Sequence, residues 1–126
     1  MVKVRDVMTA DLVTVGPSAT VAQAATLMGE HHVGSALVVE GETLLGIFTE
    51  RDIVRALSQD FDAPREPISD WMTRDPVTVG PDATVQEALD LMLARGFRHL
   101  PVVEGGRLVG IVSMRDLSRV MADRSE

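Results

Sequence analysis

GIFTERDI runs from Gly46 to Ile53, and GIVSMRDL from Gly110 to Leu117. In both, an apolar run closes on a hydroxyl residue and an acid follows three positions later. Sliding the chain by the offset between Gly46 and Gly110 aligns residues 4–57 with 68–121 without a gap, and nearly half of the aligned positions are identical. The matches come in blocks: DVMTADLVTVGPSATV from Asp6 against DWMTRDPVTVGPDATV from Asp70, VVEG at Val38 and Val102, then LLGI against LVGI. Two copies are too few for a solenoid, so the repeat implies one supersecondary unit duplicated and closed by pseudo-twofold symmetry. The domain reading is repeat 1 over 1–60, a linker over 61–67 in a polar, two-proline stretch, and repeat 2 over 68–126.

Within each copy the local signals agree. VTV at Val13 and Val77 predicts a short strand ended by Gly-Pro. Thr20 with Gln23, and Thr84 with Glu87, have capping-box spacing and predict helix starts. Val21, Ala24, Ala25 and Met28, like Val85, Ala88, Leu89 and Met92, then recur at helical spacing and define one inward stripe per helix. ALVV and LPVV, each followed by a glycine turn and a second apolar run, predict hairpins with solvated tips. Second helices are expected from about Glu50 to Ser58 and from about Met114 to Ala122. Ile53, Val54 and Leu57, or Leu117, Val120 and Met121, should face inward. Each copy therefore reads β-α-β-β-α, giving an α+β fold (α/β by some schemes) with packed three-stranded sheets.

Composition narrows the function. The 126 residues, 45% hydrophobic and 25% charged, suit one compact globular domain, and no apolar run reaches the roughly 20 residues of a membrane span. A net charge of −7 without a Lys/Arg cluster argues against nucleic acid. The absence of cysteine removes disulfide and thiolate chemistry, and with no secretory signal pattern a cytoplasmic location is expected. No catalytic motif stands out, so no catalytic residue and no metal are expected. His31-His32 reads as a helix C-terminus, Trp71 as a core or dimer-interface anchor, and the methionines as core filling.

Two readings compete for the repeated octapeptide. Thr49-x-x-Asp52 and Ser113-x-x-Asp116 can simply cap helices. The same geometry also offers free amides and a hydroxyl to a phosphate, and a carboxylate able to accept two hydrogen bonds from a ribose diol.

The order MT-x-x-x-V-T-V, T-V-x-x-A-x-x-x-M, LPVVE, LVGIV and S/T-x-x-D, met twice, resembles a tandem pair of cystathionine-β-synthase-type (CBS) domains, the Bateman module. The resemblance covers essentially the whole chain. It implies two composite clefts for adenine nucleotides or adenosyl compounds: AMP, ADP, ATP or S-adenosylmethionine. Asp116 with Ser113 would serve a base near Val13, Val33, Gly34 and Ser35, and Asp52 with Thr49 a base near Val77, Phe97, Arg98 and His99. Arg98 and His99 are the phosphate candidates, and Arg51 and Arg115 secondary ones. Because Gly34-Ser35 replaces Arg98-His99 in the first copy, the two sites should differ. The implied protein is a stand-alone sensor with no required cofactor, a homodimer, acting on an unknown regulated partner. Alternatives are a ligand-free homodimerisation module and, more weakly, a small enzyme.

Overall fold

The computed structural model describes residues 1–124. Along the chain lie α1 (Val4–Val7), β1 (Thr14–Val15), α2 (Val21–His31), β2 (Ser35–Glu40), β3 (Thr43–Thr49), α3 (Glu50–Gln59), β4 (Thr73–Arg74), α4 (Val85–Arg95), β5 (His99–Glu104), β6 (Arg107–Ser113) and α5 (Met114–Arg124). The class is α+β, as expected; the first copy supplies the anticipated β-α-β-β-α order, and in the second the opening VTV strand is present only as a bridge at Val79.

The helices start where their caps are. The Gln23 amide donates to Thr20 Oγ1 at 3.1 Å and the Thr20 amide donates to Gln23 Oε1 at 2.9 Å, so α2 opens on a closed capping box. At α4 only half of the box forms. The Glu87 amide donates to Thr84 Oγ1 at 3.1 Å, while the Glu87 carboxylate stays exposed, where the helix dipole still favours it. Both helices end on a left-handed residue: Gly96, at φ 73°, closes α4, whereas its counterpart His32 closes α2 at φ 55°. A side chain there works against the backbone, which makes His32 a strained cap.

The chain forms two compact units whose limits differ from those of the repeats. One is Leu12–Pro76; the other joins Met1–Asp11 to the chain from Val77 onward. In the first, β1 lies parallel to β2, β2 and β3 form the hairpin, and β4 pairs antiparallel with β3. To the three strands of the copy a fourth, Thr73–Arg74, has thus been added from the start of the next copy. The second unit repeats the arrangement: β5 and β6 form the hairpin, Val79 bridges Val102 in parallel, and Thr9 bridges Ile111 antiparallel. Its first strand is reduced to that bridge for a chemical reason. In the first unit the Leu37 amide donates to the Val13 carbonyl at 2.9 Å, but the matching position is Pro101, which has no amide hydrogen.

Each opening segment is docked by the same pattern of bonds. In one unit the Val21 amide donates to Glu66 O and the Ile68 amide to Ala19 O; in the other the Val85 amide donates to Val2 O and the Val4 amide to Ala83 O. Residues 61–67, read from sequence as a linker, are therefore ordered: they form a 3-10 turn at Ala63–Arg65 with Ala63 fully buried. Ile68 and Met72 enter the core with Phe48 and Met28, and Val4 enters the other with Leu117 and Met92. Outside the core, Arg5 clamps the N-terminal segment through Nη2 and Nε, 2.6 and 3.1 Å from Asp82 Oδ1.

Where the opening segment crosses the hairpin, a side chain has no room. A Cβ on Gly46 would lie 2.6 Å from the Thr73 carbonyl oxygen and 2.7 Å from Met72 Sδ. On Gly110 it would lie 2.7 Å from Met8 Sδ and 3.1 Å from the Thr9 carbonyl oxygen. Those contacts account for the glycine in LLGI and LVGI.

One expected face is corrected. Ile53 is half-buried, but Val54 and Leu57 are 67% and 51% exposed. The inner face of α3 is instead Asp52, Ile53 and Ala56. Val54 and Leu57 turn to solvent, although α5, which opens on the same hydroxyl and acid, packs Met121, the counterpart of Leu57, against its core. In α5, Leu117 is buried and Val120 and Met121 pack against the core.

Three outcomes follow from this packing. Gly46→Ala should lower unfolding free energy by about 2 to 3 kcal/mol and Gly110→Ala by about 1 kcal/mol, because Met8 can move and the Thr73 carbonyl cannot; urea midpoints measure both. His32→Gly should raise stability by about 0.5 to 1 kcal/mol in the same assay. The Arg5 hydrogen bond, then its charge, hold the Asp82 carboxyl below its usual value. Its stabilisation is thus complete above the ordinary Asp value of about 3.9 and fades as pH falls below it. The stability gap between wild type and Asp82→Asn should shrink across that window, and with added salt at neutral pH.

Candidate functional site

Both octapeptides fold as strand, hydroxyl cap and helix. Thr49 caps α3, and Asp52 is its third helical residue. The Thr49 amide donates to Asp52 Oδ2 at 2.9 Å, Thr49 Oγ1 to the same oxygen at 3.2 Å, and the Asp52 amide reaches Thr49 Oγ1 at 3.4 Å. Asp52 is buried, at 7% exposure. In the other copy Ser113 Oγ donates to Asp116 Oδ2 at 2.9 Å and the Asp116 amide donates to Ser113 Oγ at 3.2 Å. Among the described residues no further hydrogen bond reaches the Asp116 carboxylate, which is only half-buried. The Asp52 carboxylate therefore caps the Thr49 amide, while among the described residues that of Asp116 takes the Ser113 hydroxyl alone, and both keep spare acceptor capacity, since a carboxylate offers about four lone-pair sites.

Sheet register brings further candidates beside each acid. Ser35 is paired with Thr49, and the Glu50 amide donates to the Gly34 carbonyl at 3.1 Å. His99 is likewise paired with Ser113, and the Met114 amide donates to the Arg98 carbonyl at 2.8 Å. Gly34 and Ser35 thus stand at the α3 start, and Arg98 and His99 at the α5 start. Val33 and Phe97, half-buried, close the preceding helices through amide bonds to Met28 O and Met92 O. Val13 and Val77 lie against their cores at the openings of the first strands. Arg51, Arg98 and Arg115 are exposed.

A hollow of about 400 Å³ opens beside the first helix start, lined by Met28, His32, Val33, Glu50 and Ile53 among others. A second, of about 500 Å³, lies between Val15–Gly16 and α2, reaching Ala19, Thr26 and Leu27. Both are of small-ligand size. Asp52 lines neither. Among the described residues no group of three His, Cys, Asp or Glu side chains could hold a metal ion, and no helix is long and apolar enough to cross a membrane.

Two residues flank Asp52: Arg55, which the sequence reading passed over, and Trp71, which it took for a core or dimer-interface anchor. Arg55 Nη2 lies 3.4 Å from Asp52 Oδ1 and donates to the Trp71 carbonyl at 2.6 Å, with its guanidinium carbon 5.3 Å from the Trp71 ring centroid. Trp71 Nε1 in turn donates to Glu66 Oε1 at 3.0 Å. The neighbouring Asp60 carboxyl holds that of Glu66 above its ordinary value, and Asp60 is itself held below its own by Glu66. The spacing of Arg55 from Asp52, one helical turn, was the available signal. The contact with Trp71 had none.

The duplicated unit has counterparts among known proteins. A 17.7 kDa protein of Acidianus ambivalens is 45% identical over 124 residues, covering 96% of this chain and 74% of that protein. The CBS domain pair of protein MJ0100, solved with 5-methylthioadenosine and S-adenosyl-L-methionine, superposes with a TM-score of 0.90 at 28% identity, covering 98% of both chains. CBSX2, solved with AMP, superposes with a TM-score of 0.84 at 28% identity over the full length of both. The model of the CBS domain matches residues 4–59 and again 68–123, the same duplicated stretches that the offset of the two octapeptides defines. With both copies of the unit so matched, the chain belongs to the CBS domain family and carries a tandem CBS pair.

Proposed function

We propose that this CBS pair is a non-catalytic sensor of adenine nucleotides or adenosyl compounds. The carrying observation is the hydroxyl and carboxylate set together at a helix start in both copies, with acceptor capacity left on the carboxylate, in a fold whose relatives MJ0100 and CBSX2 were solved with adenosyl ligands. Asp52 with Thr49, and Asp116 with Ser113, accept the ribose diol. Arg98 and His99, with Arg51 and Arg115 as secondary contacts, meet phosphate, and Val13, Val33, Gly34, Ser35, Val77 and Phe97 surround the base. The chain has no Tyr and a single Trp, so aliphatic side chains and backbone amides contact the base. Binding would act on a regulated protein by population shift, to the extent that the ligand prefers one conformation. We place this activity in the cytoplasm, where such ligands are abundant.

A second reading keeps the octapeptides as caps alone and makes the chain an interaction module. It is favoured by the closed Thr49–Asp52 box and by the exposed Val54, Leu57 and Phe61, the last at 95%. Such a face suits a homodimer.

A thermal-shift panel of AMP, ADP, ATP, S-adenosylmethionine and GTP separates the two. Ligand at 100 times its Kd should stabilise by about 2.7 kcal/mol, a rise in Tm of several degrees. Asp116→Ala and Asp52→Ala should each reduce that rise. A wild type unmoved by every ligand leaves the interaction reading; full shifts in both variants remove the two acids from the site.

A further inference from the structure

The two acids are not equally free, and the difference lies in residues outside the repeated octapeptide. A vicinal diol binds a carboxylate best when each hydroxyl finds its own oxygen. Asp52 Oδ2 already takes both the amide and the hydroxyl of Thr49, which leaves Oδ1. Arg55 faces that oxygen at 3.4 Å as an ion pair, with Asp52 at 10% and Arg55 at 44% side-chain exposure. Arg55 is not a loose surface cation. It is held on the other side by the Trp71 carbonyl at 2.6 Å and by the indole face, and the indole is pinned by Glu66. A short charge-assisted bond and a cation–π contact together oppose its departure.

The second copy lacks this arrangement. Arg119 stands where the repeat would place the partner of Arg55, but Val7 stands where the other copy has Trp71. Among the described residues Arg119 is exposed and makes no hydrogen bond or ion pair, and only Ser113 donates to the Asp116 side chain. One acid is latched and the other open.

We propose that Arg55, seated on Trp71, is a positioning residue that lowers the affinity of the Asp52 acceptor for a ribose diol, and that occupation of Asp52 releases Arg55 from the indole. The inference rests on the ribose reading of the two acids. It makes the Asp116 site fill first and the Asp52 site fill second, with a change around Trp71 on the second event. Because Trp71 is the single tryptophan of the chain, its emission reports that event alone.

The test uses calorimetric titration of the full chain with AMP and with 2′-deoxy-AMP, so that phosphate contacts cancel and their ratio reads the diol. In Asp116→Ala, which leaves Asp52 as the remaining acceptor, adding Arg55→Met should strengthen AMP binding roughly threefold to fivefold, the effect of removing a half-exposed ion pair. It should leave 2′-deoxy-AMP unchanged. Trp71 emission should respond to AMP in Asp116→Ala and stay silent in Asp52→Ala. Arg55→Gln provides the same measurement should Arg55→Met unfold, which a urea titration shows. AMP binding in Asp116→Ala that is unchanged or weakened on loss of Arg55 overturns the latch while leaving the ribose reading intact. Equal binding of AMP and 2′-deoxy-AMP by the wild type, or no binding at all, overturns the ribose reading and the latch with it.

Discussion

The crossing of a Met-Thr segment over a glycine in the hairpin organises everything else in this chain. Met72–Thr73 passes Gly46 and Met8–Thr9 passes Gly110, close enough that a methyl group on either glycine would collide with sulfur or carbonyl oxygen. That approach lets Thr73 pair with Ile47 and Thr9 bridge Ile111, adding an outer strand to a hairpin that would otherwise expose its edge. It also sets the apolar residues just before, Ile68 and Val4, at zero exposure in the two cores. Each sheet is therefore completed by residues that the gene wrote at the start of the other copy.

The helix starts show how one local structure can serve stability and recognition together. A hydroxyl cap with an acid at the third position satisfies free amides in either case, and the strand that precedes it delivers both side chains to the end of the sheet. What distinguishes the copies is what surrounds them. Pro101 cannot donate where Leu37 does, His32 occupies the left-handed position that Gly96 takes, and Trp71 with Arg55 flanks one acid, while the equivalent positions in the other copy are Val7 and Arg119. The duplicated frame has thus been kept while its local chemistry has diverged.

Much of this was legible in the residues because the signals were local. Thr20 with Gln23, the stripe of Val21, Ala24 and Met28, and the strand pair around Gly41 depend on neighbours within a few positions, and they fold as read. The face of α3 was misread because an apolar count favoured Val54 and Leu57, while the helix packs inward through Ile53 and Ala56 beside Asp52. The reason for Gly46 and Gly110 was hidden in sequence, since the atoms that exclude a side chain come from 26 or more positions away. The same holds for Arg55 and Trp71, whose contact spans 16 residues with no periodicity to announce it. At the site itself, register alone set Ser35 beside Thr49 and His99 beside Ser113.

The strand contributed across the repeat boundary has a consequence for the history of the molecule. A solitary ancestor with one copy would have kept its own opening strand yet had no foreign one to cover Ile47, so two such molecules would have had to trade N-termini. Such a domain-swapped pair depends on concentration and dissociates on dilution. Joining the halves through residues 61–67 would make the trade intramolecular, converting an association equilibrium into a property of one folded polypeptide.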